Sequence, residues 1–173
     1  MDRSITLVVA VAVASLAVAA VAVAQDSTDD ILSRAVEGRG RFQLFTGCAR
    51  IRTGVNVTSD DDDYGFTWDR VMNLVESRTR AARLYGDSSE ILEQSNWLTV
   101  SVWFSGLAVF IEVEFEKGRL ADPASGLEGY AQTWRTSRLG THGRNGAVVM
   151  QTVSELVDEF ILAYLRVHED ACG

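Results

Sequence analysis

NWLTVSVWFSGLAVFIEVEFEK, running from Asn96 to Lys117, decides the fold. Apolar and polar residues alternate through it with a period of two, the period of a strand with one face in a core. Ser105-Gly106 interrupts the alternation and reads as a two-residue hairpin turn. About that turn, Phe104 faces Leu107, Val102 faces Val109, Val100 faces Ile111 and Leu98 faces Val113. All are apolar, so this face belongs to the core. The other face sets Trp103 against Ala108, Ser101 against Phe110, Thr99 against Glu112 and Trp97 against Glu114. A slip of one residue would turn every side chain to the wrong face.

The neighbouring segments extend this reading. GYAQTWRTSRLG (129–140) supplies a third strand, with Tyr130, Gln132, Trp134 and Thr136 expected on one face. Runs 96–104, 107–116 and 129–138 then form an antiparallel meander. RFQLFTGCARIRTGVNV (41–57) is β-like, includes Cys48, and has Gly47 and Gly54 as turn or bulge points. Thr67 caps a helix reaching about Tyr85, with Trp68, Val71, Met72, Val75, Thr79 and Ala82 on one face. The opposite face is charged and includes Arg70, Arg80 and Arg83. The last helix carries a stripe of Val149, Val153, Leu156, Val157, Phe160, Ile161 and Tyr164, ending near Val167. A short helix is expected over Ser27–Gly38, a helical turn over Asp87–Gln94, and a charged, solvated loop at SDDDDYG (59–65), whose spacing is not that of an EF-hand.

The expected fold is an α+β two-layer sandwich. Its antiparallel sheet has about four strands, the order is β-α-β-β-β-α, and two main helices pack on one face. Residues 1–24 read as a signal peptide and residues 25–173 as a single α+β domain. The leader has one early cation, Arg3, an apolar run, and Ala22-Val23-Ala24 before Gln25. The run is also near the length of a bilayer span, so an uncleaved leader would make a membrane tether. Export places the chain in the periplasm or outside the cell. There two cysteines, Cys48 and Cys172, permit one intramolecular disulfide. It would close a loop of roughly 125 residues and stabilise by about 4–5 kcal/mol in the chain-entropy picture.

Net charge is −8. This excludes nucleic acid and an anionic membrane surface as main partners. All of the 16 Lys and Arg residues except Lys117 are arginine, in a chain rich in Ala, Val and Gly, which suggests a GC-rich bacterial genome. GxSxG, HExxH, Walker A and GxGxxG signatures are missing. No catalytic residue, metal or cofactor is therefore assigned. Asn56-Val57-Thr58 matches a glycosylation sequon, which carries weight only in a eukaryotic secretory pathway.

Two surfaces remain as candidates. One is the aromatic part of the outer hairpin face, Trp97, Trp103 and Phe110, a partner surface because exposed aromatics mark contacts. The other is GTHGRNG (140–146), where a strand runs into a helix N-terminus. There Thr141, His142, Arg144 and Asn145 are the candidate donors to a phosphate or carboxylate, and His142 is the best-placed general base. The combination ESRTRAARLY, TW, GTHG and FILAYLRVHEDAC resembles a family of small exported bacterial proteins of no known activity. The resemblance implies export and no site residues. The expected function is a non-enzymatic envelope module binding an unknown protein or envelope component. Its alternatives are a small-anion binder or enzyme using 140–146, and a membrane-tethered domain.

Overall fold

A computed structural model describes residues 33–58, 66–86 and 96–169. The expected signal peptide, the four-aspartate stretch, the expected turn at 87–94 and Cys172 lie outside the described residues. The chain divides into two compact units, residues 1–39 and 40–173. In the first unit, residues 33–39 are helical and exposed. The elements are α1 (33–44), β1 (Ile51–Thr58), α2 (Trp68–Ala81), β2 (Asn96–Ser105), β3 (Ala108–Ala121), β4 (Glu128–Thr141) and α3 (Gly146–His168).

Two features of the expected fold are corrected. The order is α-β-α-β-β-β-α with three helices, because residues 41–44 continue a helix instead of starting a strand. The sheet, of spatial order β1-β2-β3-β4, is mixed, since β1 runs parallel to β2 while the other pairs are antiparallel. The cause is the connection. A strand of 8 residues spans about 26 Å and a helix of 14 about 21 Å, so α2 returns the chain to the end where β1 began.

The hairpin faces hold, but its register moves. Gly106 and Leu107 form the turn, and Ser105 pairs with Ala108. Gly106 has φ +58, which fits a type II′ turn with glycine at the first central position. Leu107 therefore leaves the core and is 57% exposed. Phe104 pairs with Val109, Val102 with Ile111, Val100 with Val113 and Leu98 with Phe115. A bulge at Thr133 separates the Phe115–Trp134 pair from the Glu116–Gln132 pair. It splits the face expected of β4: Trp134 and Thr136 follow the core side, and Gln132 follows the outer side.

The core lies between the sheet and helices α2 and α3. Val71, Val75 and Thr79 on α2 and Val153, Leu156, Val157, Phe160 and Tyr164 on α3 are buried against Val100, Val102, Ile111, Val113 and Phe115. Thr67 Oγ1 accepts from the Arg70 amide at 3.3 Å and caps α2. Trp68 keeps 47% of its surface exposed and donates Nε1–H to the Val55 carbonyl at 2.9 Å. Across the helices, Arg78 forks Asp158 at 2.8–2.9 Å.

The C-terminal end of α3 holds the segment before β1. His168 is buried, donating Nδ1–H to the Tyr164 carbonyl at 2.8 Å and accepting the Thr46 amide on Nε2 at 3.1 Å. Tyr164 donates to the Ala49 carbonyl at 3.1 Å and also contacts Thr46 Oγ1. Burial raises the Tyr164 pKa, with the Thr46 hydrogen bond opposing. Cys48 sits in the turn between α1 and β1 with φ +66, not in a strand. The expected Cys48–Cys172 disulfide is not part of the described fold: no disulfide joins two described residues, since Cys172 lies outside them. Cys48 is not a free thiol. Among the described residues, no helix is long and apolar enough to cross a membrane.

Candidate functional site

With both main helices on one face, alternate residues of the sheet point the other way. On β2 these are Trp97, Thr99, Ser101 and Trp103, paired across to Glu116, Glu114, Glu112 and Phe110 of β3. The register shift thus places Trp103 directly opposite Phe110. Their rings stack at 5.4 Å with a 28° interplanar angle. Beyond Phe110, on β4, lies Leu139. Trp103 is 37% exposed, Leu139 is 73% exposed, and Phe110 is half-buried beside them. An apolar patch therefore crosses β2, β3 and β4 at one end of the outer face.

Below the patch runs a column of carboxylates, Glu112, Glu114 and Glu116, two residues apart on β3 and half-buried. Such positions are about 7 Å apart along a strand. Burial raises the Glu114 pKa, repulsion by Glu112 and Glu116 adds to the rise, and Arg135 opposes it. Arg135 reaches Glu112 at 4.0 Å, and Gln132 donates Nε2–H to Glu114. The column keeps a net negative charge within a partly desolvated surface. Its signal was in the sequence, since EVEFE places Glu at every second position. The alternation reading placed Glu112 and Glu114 on this face without making them part of the site. Leu139 was missed because its partner on β3 depends on the β3–β4 register, which shifts between Phe115 and Glu116 and again between Lys117 and Leu120.

Trp97 does not join the patch. It lies six residues from Trp103 on the same strand, roughly 20 Å away. The Arg52 guanidinium covers it at 4.6 Å to the ring centroid. Beneath it is Gly54, where an added Cβ would sit 3.9 Å from the ring.

The 140–146 loop divides its expected donors. His142 is 1% exposed, with Nε2 2.9 Å from the Gly106 carbonyl and Nδ1 accepting the Arg144 amide at 3.2 Å. An acceptor Nδ1 puts the proton of the neutral ring on Nε2. The His142 amide donates to the Leu107 carbonyl at 3.1 Å, and its ring meets Phe104 edge-on at 5.4 Å. This side chain ties the loop to the hairpin turn. Asn145 Oδ1 accepts the Ala147 amide at 3.0 Å and caps α3. Thr141 and Arg144 are exposed, with Arg144 at φ +57. Among the described residues, no group of three or more His, Cys, Asp or Glu is placed to hold a metal ion.

No protein-family model matches the chain, and no curated protein matches it. Among solved structures, a dodecamer of a PelC variant from Paraburkholderia phytofirmans is similar at 17% identity and a TM-score of 0.36, over 68% of this chain and 89% of that one.

Proposed function

We propose that the chain is an exported, non-enzymatic binding module whose outer sheet face docks a polypeptide segment carrying basic and apolar residues. The observation that carries this reading is the continuity of two surfaces. The Trp103–Phe110–Leu139 patch runs directly into the Glu112–Glu114–Glu116 column. Exposed aromatics supply buried-area anchors at interfaces, and a row of carboxylates selects cationic partners and sets their register. A partner cation beside Glu114 would also relieve a carboxylate that burial and its neighbours disfavour. Export rests on the leader pattern of residues 1–24.

A random-peptide display selection against the full chain tests the reading. The selected peptides should combine Lys or Arg with apolar residues, and their binding should be lost in the Trp103→Ser/Phe110→Ser double variant. Peptides without basic residues, or peptides whose binding survives the double variant, would contradict it.

A further inference from the structure

We infer that the cavity at the C-terminal end of α2 binds a small anion bearing phosphate or carboxylate groups. The cavity has a volume of about 370 Å3, and among the described residues it is lined by three arginines, Arg50, Arg80 and Arg83, together with Tyr85. That volume falls among small-molecule sites, which begin near 300 Å3. The chain as a whole carries −8, so a cavity lined by guanidinium groups runs against its overall charge. Guanidinium forks match phosphate and carboxylate oxygens in a bidentate manner.

The frame is rigid where the cations attach. Arg80 is in the last turn of α2, and Arg83 follows the helix with φ +59. Tyr85 forms an isolated bridge to Ile51, the residue after Arg50. The Ile51 amide donates to the Leu84 carbonyl at 2.8 Å, and the Gly86 amide to the Ile51 carbonyl at 3.0 Å. The Leu84 amide donates to the Thr79 carbonyl at 2.9 Å. These bonds fix the start of β1 against the end of α2, and so fix Arg50 relative to Arg83. Glu76 organises the wall, pairing with Arg80 at 3.1 Å and accepting from the Tyr85 hydroxyl at 3.3 Å. Arg80 then lies over the Tyr85 ring at 3.9 Å.

Cations at a helix C-terminus also offset the helix dipole. Arg78 and Arg80 are placed for that role. Arg50 belongs to no helix, and Arg83 occupies a left-handed position where glycine is the usual residue. Dipole compensation therefore does not account for the left-handed placement of Arg83 at the cavity.

Titration calorimetry of the full chain with inorganic pyrophosphate and with citrate tests the site, alongside flotation with phosphatidylglycerol vesicles. The expected result is saturable binding to at least one probe, weakened about tenfold or more in Arg50→Gln/Arg83→Gln, as charge-assisted bidentate contacts require. Both arginines are exposed, and the melting temperature of this variant, read beside its binding, separates a lost site from a lost fold. Arg138→Gln, on β4, should bind as wild type does. Binding of the free anions assigns a soluble ligand, and binding of vesicles alone assigns a headgroup, both through the same arginines. No saturable binding to any probe, or equal weakening by Arg138→Gln, would overturn the inference.

Discussion

His142 carries the clearest lesson at the scale of single residues. By type and position it reads as a general base. In the fold it is buried, with both ring nitrogens held by backbone groups of the hairpin turn and of its own loop. His142→Ala should therefore cost about 2–3 kcal/mol in urea denaturation, from lost packing and two unpaired backbone groups. Unchanged stability would mean the imidazole is not a strut. Glu114 gives a second prediction, with its sign set by linkage. Its folded pKa is raised, so the folded chain holds that proton more tightly than the unfolded chain. The resulting stability is present at acid pH and lost as pH rises through the raised value. Glu114→Gln should raise the melting temperature at neutral pH by no more than about 2 °C, because the surface position is screened. The gain should vanish below the ordinary carboxylate range.

At the scale of elements, the turn of the hairpin decides which outer-face residues meet. Gly106 has φ +58, and an added Cβ there would meet nothing within 4 Å. Gly106→Ala should thus cost about 1–2 kcal/mol from backbone conformation alone. Gly140→Ala also meets nothing within 4 Å, and its φ lies outside the left-handed region, so it should cost less than Gly106→Ala. Denaturant midpoints of the two variants check this. The turn also shows what was legible in the sequence. The period-two alternation identified both core faces of Asn96–Lys117, because burial depends only on parity. It did not distinguish a turn at Ser105-Gly106 from one at Gly106-Leu107, because both preserve parity and place the same apolar residues inside. Leu107 was the discriminating residue, and its apolar character argued for the wrong choice. The parallel β1 was readable from strand, helix and strand in succession, since such a unit returns the chain before the next strand starts. Residues 41–44 were misread because Arg41-Phe42-Gln43-Leu44 suits a strand as well as a final helical turn. The bulge at Thr133 left no mark in the hydrophobic pattern: Thr133 Oγ1 donates to the Gln43 carbonyl, a tertiary contact.

At the scale of the whole molecule, the fold divides its labour between two faces. One face of the sheet is closed by α2 and α3 through a continuous core, and Phe115 there touches both Phe160 and Tyr164. Phe115→Ala should cost about 3–5 kcal/mol, measured by chemical denaturation. The outer face needs no such packing to hold the fold, so Trp103→Ser/Phe110→Ser should lose far less stability while losing partner binding. Docking should also weaken as pH falls through the raised pKa of Glu114, where the column loses charge. The most direct test places a photo-crosslinking amino acid at position 103 and, as a control, at Leu162, which is 66% exposed on α3. After irradiation of cells expressing the full chain, the account predicts a discrete adduct from position 103 that Glu112→Gln/Glu116→Gln diminishes, and none from position 162. Equal adducts from both positions, or none from position 103, would contradict it.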